Sequence, residues 1–175
     1  MFGNDIIDLN YSRQESNWQR KGWLAKLFTP TEQSYIKQAK DKEQIIWLFW
    51  SMKEAAYKIY NRSSNQTFYA PAAFQCSLHH HDTSTASGQV SYHDAIYITA
   101  TSINAAFIHT VARAPGYTLP ISIQLENTEQ QKLQLPKNQS LHRDASSIPF
   151  LMNNNTGVTS MASLSHHGKY EAIVF

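Results

Sequence analysis

The chain has 175 residues, 42% of them hydrophobic, enough to bury a core as one domain or as two small halves sharing one. A net charge of +2 with 16% charged residues supplies no basic stripe, which argues against bulk nucleic-acid binding and leaves room only for a modest positive patch. One cysteine, Cys76, excludes an internal disulfide framework. The opening "MFGNDIIDLNY" has two acids where a secretory signal has a basic run, and no apolar stretch is long enough to span a bilayer. The expectation is a soluble cytoplasmic protein without nucleic-acid or membrane partners.

In chain order, "GNDIIDL" is a β-branched run entered through a glycine and reads as a strand. "SRQESNWQRKGWLAKLF" places Trp18, Trp23, Leu24 and Leu27 near helical spacing. "TPTEQSYIKQA" starts a second helix with Thr29 as cap, Pro30 in the first turn and Glu32 completing a capping box. A third helix runs from Lys42 to Tyr60 and ends near "NRSSN". The remainder alternates in short runs: "FYAPAAFQCSL", "GQVSYH", "AIYITATS", "AAFIHTVAR", "PISIQL", "IPFLM" and "ASLSHHGKYEAIVF". "HHHDTSTASG" and "ENTEQQKLQLPKNQSLHRDASS" read as loops or insertions. Three helices followed by strands predict an α+β fold, helices packed on antiparallel sheet. It forms one domain over 1–175, or two related halves, 1–115 and 116–175.

The third helix sets a problem. Ile45, Leu48, Met52, Ala55, Ala56 and Ile59 make a core stripe, while Trp47, Trp50, Glu54, Tyr57 and Lys58 take the opposite side. A helix apolar on both sides is enclosed by protein, and a carboxylate there must be paired, hydrogen-bonded or bound to a metal. Glu54 can pair with Lys58 one turn on, or it can ligate a hard cation while the lysines face phosphates. The second reading needs another carboxylate. Asp5, two residues after Gly3, is the candidate, with Asp8 assigned a structural or supporting part. "CSLHHH" lacks a second paired cluster and reads as a strand end rather than a metal site, and no hydrolase elbow, phosphate loop or dinucleotide fingerprint is present.

"GNDIIDL", "LFTPTEQ", "WSMKEAAYK" and the final "SIPFL" with "SLSHHGKYEAIVF" resemble, in that order, the signature segments of the phosphopantetheinyl transferase superfamily. The order is that of the small holo-acyl-carrier-protein synthases, while the longer middle is similar to the larger surfactin-type enzymes. The resemblance implies transfer of the phosphopantetheine arm from coenzyme A to a serine of an apo acyl or peptidyl carrier protein, as in fatty-acid biosynthesis. Asp5 and Glu54 would bind Mg2+, Lys58 and Lys53 would lie at the coenzyme A phosphates, and Ser165 and His166 would hold the adenosine-bisphosphate end. Glu54, directly or through a metal-bound water, would take the serine proton, with Lys58 as the second catalytic residue. Where larger relatives have a second acid on the strand, this chain has Ile7, and no basic cluster for the 3'-phosphate is evident. A catalytically degenerate member that binds coenzyme A or a carrier without transfer is the alternative, and a homo-oligomer such as a trimer and a monomer both stay open.

Overall fold

A computed structural model describes residues 1–64 and 70–175. The expected strand "FYAPAAFQCSL" begins at Phe68 and so lies partly outside the described residues. The fold is α+β. Strand β1 (Phe2–Asp8) leads into helices α1 (Leu9–Glu15), α2 (Trp23–Leu27), α3 (Pro30–Gln38) and α4 (Lys42–Ser64). Strands β2 (Gln75–His81), β3 (Thr85–Tyr92), β4 (Ala95–Ile103) and β5 (Phe107–Arg113) join β1 in a five-stranded antiparallel sheet of order β1-β5-β4-β3-β2. Two three-stranded sheets complete the molecule. One contains β6 (Ile123–Asn127), β10 (Ser163–His167) and β11 (Tyr170–Val174) in the order β10-β11-β6, the other β7 (Gln139–Arg143), β8 (Pro149–Asn153) and β9 (Thr159–Met161).

The region expected as one helix over "SRQESNWQRKGWLAKLF" is two. Asp8 caps α1 by accepting the N–H groups of Asn10 and Tyr11, so that helix begins earlier than the apolar spacing suggests. Ser16, in extended backbone, ends it, and Asn17 then turns the chain by accepting Gln19 N–H. For α3 the expected start is present in full: Thr29 accepts Glu32 N–H and Glu32 accepts Thr29 N–H. In the segment "ENTEQQKLQLPKNQSLHRDASS", Gln139–Arg143 forms β7, paired with β8, where the sequence suggested only loop.

Helix α4 packs along one face of the large sheet, and its Ile45, Leu48, Met52, Ala55, Ala56 and Ile59 join Ile7, Ile108, Ala112, Tyr97 and Val90 in the main core. The opposite face is covered at its β1 end by β10 and β11 through small apolar clusters, Phe2 with Val111 and Val174, and Ile6 with Tyr170 and Ala172. All seven residues of β1 are therefore buried, although β1 is an edge strand of its sheet. Among the described residues no helix is long and apolar enough to cross a membrane.

Candidate active site

Alternation along β1 turns Gly3, Asp5 and Ile7 toward α4. At Gly3 the helix comes so close that an added Cβ would lie 2.3 Å from the Ala55 carbonyl oxygen, so the glycine admits α4. Asp5 is only 7% exposed. Its Oδ1 accepts the Ser165 hydroxyl at 2.9 Å and the Lys58 ammonium at 3.3 Å. Its Oδ2 is buried and has no hydrogen-bond partner among the described residues. Burial raises the Asp5 carboxyl pKa, against the lowering pull of the Lys58 charge and the Ser165 hydrogen bond.

On α4, Ser51 donates to the Asp5 carbonyl at 3.3 Å and Lys58 donates to the Asp5 side chain. Glu54 lies between them, three residues after Ser51 and four before Lys58, so helical geometry places it on the face that meets β1. It is half-buried. Lys58, with its side chain 29% exposed, also donates to the carbonyls of Asn4 at 2.7 Å and Leu164 at 3.3 Å. Asp5, Glu54 and Lys58 thus come from two distant segments to one side of β1.

Lys53 goes elsewhere. It is fully buried, and its three donors meet Glu32 Oε2 at 2.8 Å and the carbonyls of Pro71 and Phe74 at 2.9 and 2.6 Å. The expectation that Lys53 faces phosphates is corrected accordingly: five residues before Lys58, and so about 140° from it around the helix, Lys53 points to the α3 side.

The strand "SLSHH" joins β1 in an unexpected way. Among the described residues β1 pairs by backbone only with β5, so the N–H groups of Asn4, Ile6 and Asp8 point away from that sheet. Side chains of alternate β10 residues accept them: Ser163 Oγ from Asn4 at 3.0 Å, Ser165 Oγ from Ile6 at 3.0 Å and His167 Nδ1 from Asp8 at 2.9 Å. His167 then donates from Nε2 to Glu15 at 2.7 Å. Ser165 is buried and directed at Asp5, whereas His166 points the other way and is exposed, beside a cavity of about 710 Å³ that also holds Tyr11, Gln14 and Lys169. Ser165 and His166, expected to share one ligand, face opposite sides of their strand.

Sequence reasoning missed a group of cations. A cavity of about 170 Å³ beside Lys58 is also lined by Arg62 and Arg143. Arg62 follows Lys58 by one turn, a spacing that was available as a signal, and its guanidinium donates to the carbonyls of Pro149 at 3.1 Å and Ala162 at 2.5 Å. Arg143 lies in the unforeseen β7, where no helical spacing could mark it, and donates to Ser147 O at 2.9 Å.

Among the described residues no group of three or more His, Cys, Asp and Glu side chains converges on one metal position. His80 is spent on Asp82 and His81 on Gln44. A buried carboxylate oxygen with no partner among the described residues, on a carboxylate whose other oxygen has two donors, nevertheless suits a hard cation that completes its shell with water and phosphate. No curated protein and no solved structure matches the chain. A family model, that of the 4'-phosphopantetheinyl transferase superfamily, matches residues 1–112, a span that runs from β1 through α4 into β5 and contains Asp5, Glu54 and Lys58. With well over half of its length matched, the chain belongs to the 4'-phosphopantetheinyl transferase superfamily.

Proposed function

We propose that this protein transfers the phosphopantetheine arm of coenzyme A to a serine of an apo acyl or peptidyl carrier protein, with Mg2+, releasing adenosine 3',5'-bisphosphate. It acts as one cytoplasmic domain over residues 1–175. The observation that supports this most is the state of Asp5: an enclosed carboxylate with one oxygen anchored by Ser165 and Lys58 and the other without a partner among the described residues.

In the reaction the carrier serine oxygen attacks the phosphorus that bears the arm, the bond from that phosphorus to the bridging oxygen breaks, and the serine proton is taken up. Asp5 and Glu54 would hold Mg2+, which when bound neutralises charge on the diphosphate. Lys58 binds phosphate oxygens by exchanging its two long contacts, those of 3.3 Å to Asp5 and Leu164, while the 2.7 Å bond to Asn4 keeps its ammonium in place. Arg143, near Lys58 in the same cavity, is suited to a further phosphate. Glu54 accepts the serine proton, directly or through a water.

The test is incubation with coenzyme A, Mg2+ and a panel of apo carrier proteins, read by intact mass. A gain equal to the arm is expected, lost with chelator and lost in both Asp5→Asn and Glu54→Gln. Coenzyme A binding without any mass gain would instead identify a binding protein that no longer transfers, and transfer undiminished in Asp5→Asn would remove Asp5 from the site.

A further inference from the structure

We propose that Ser165 is a positioning residue for Asp5: its hydroxyl fixes which carboxylate oxygen faces the cation, and it does not itself hold the nucleotide. The inference rests on Asp5 being a metal ligand, as read above. A hydroxyl has one hydrogen. Ser165 Oγ accepts the Ile6 N–H at 3.0 Å, and this leaves its hydrogen directed at Asp5 Oδ1, 2.9 Å away. Lys58 donates to the same oxygen at 3.3 Å. Both donors on Oδ1 oppose rotation of the carboxylate, Ser165 remaining there when Lys58 turns to phosphate, and they keep Oδ2 as the oxygen without a partner among the described residues. Ser165 is itself buried, with both its hydrogen and one lone pair committed, so it offers a nucleotide little surface.

The neighbouring serine provides an internal control. Ser163 Oγ accepts the Asn4 N–H at 3.0 Å as Ser165 accepts that of Ile6, and of these two serines Ser165 is the one that donates to Asp5. Removing either hydroxyl costs the strand seam one hydrogen bond. Removing Ser165 alone frees the carboxylate.

The experiment titrates Mn2+, a spin probe for the Mg2+ position, into the protein saturated with coenzyme A and reads free Mn2+ by electron paramagnetic resonance. Ser165→Ala is expected to weaken Mn2+ roughly ten-fold or more, the usual size for loss of a group that orients a ligand. Ser163→Ala is expected to leave Mn2+ affinity unchanged while losing similar thermal stability, and Ser165→Thr, which keeps the hydroxyl, to retain binding. Should Ser165→Ala fail to fold, Ser165→Cys, a much weaker donor of similar size, gives the same reading. In parallel, adenosine 3',5'-bisphosphate binding without metal is measured by calorimetry and is expected to be equal in wild type and Ser165→Ala. Wild-type Mn2+ affinity in Ser165→Ala, or a loss confined to the nucleotide, overturns the inference alone. Unchanged Mn2+ affinity in Asp5→Asn overturns the underlying assignment of Asp5 instead.

Discussion

His109 shows how far a single residue can depart from its usual chemistry in this fold. It lies on β5, on the face away from α4, only 4% exposed, and its Nε2 accepts from the Asn4 amide at 3.2 Å. Burial first, and then the positive charge of Lys58, lower its pKa from 6.5 to about 4. The fold therefore refuses a proton that the unfolded chain accepts below pH 6.5. Above that pH the group contributes nothing; between 6.5 and about 4 the native state loses up to about 3 kcal/mol relative to the unfolded one. Asp5 works in the opposite sense, because its raised pKa favours the protonated fold as pH drops. The difference between variants isolates the histidine: chemical denaturation at pH 7.5, 5.5 and 4.5 should show a shallower acid loss in His109→Gln than in wild type. At this scale the sequence singled out Asp5, Glu54 and Lys58 by type and local spacing, and Ser165 by resemblance. The contacts of His109 with Asn4 and of Ser165 with Asp5 were not legible, since the partners lie 105 and 160 positions away.

At the scale of elements, the buried Lys53–Glu32 pair joins the start of α3 to the middle of α4 and to the segment entering β2. Glu32 Oε2 accepts from Lys53 and Thr29, and Glu32 Oε1 accepts Cys76 N–H at 2.7 Å. Every polar atom of the pair is thus engaged, the condition under which a buried ion pair is tolerated. Lys53→Met should cost about 3–5 kcal/mol in urea unfolding, because it leaves Glu32 charged and enclosed. Adding Glu32→Gln, which removes the charge and keeps an acceptor, should restore part of that loss; a double variant no more stable than Lys53→Met would refute the charge argument. The capping box that starts α3 was readable from four residues. Its Glu32 serving Lys53 as well was hidden, because the sequence shows Lys53 only as a neighbour of Glu54. Strand β7 was hidden for another reason: its residues are partly exposed on both faces, so "QSLHR" has no apolar alternation to reveal it.

For the whole molecule, the arrangement that matters is β1 enclosed between α4 and the sheet of β10 and β11. The family match ends at residue 112, before the strands that seal β1. A fragment of residues 1–115 would expose the N–H groups of Asn4, Ile6 and Asp8 and strip Phe2 and Ile6 of Val174, Tyr170 and Ala172. An unpaired strand edge flanked by apolar side chains is a template for self-association. The fragment should scatter light and sediment as aggregates under conditions where the full chain does not; a monodisperse fragment with native-like circular dichroism would show the later strands to be dispensable for the fold. The α+β class and the order of motifs were legible from the alternation of helical and extended patterns. The way the last motif joins the first was not, because it uses side chains in place of a main-chain ladder.

That substitution has an evolutionary consequence. In an ordinary sheet each cross-strand bond belongs to the peptide group common to all residues, and little short of proline can delete one. Here Ser163, Ser165 and His167 are separate genetic loci, each able to mutate without disturbing the others. Natural selection can therefore loosen or tighten the grip of the later chain on the Gly-x-Asp strand in steps of one codon.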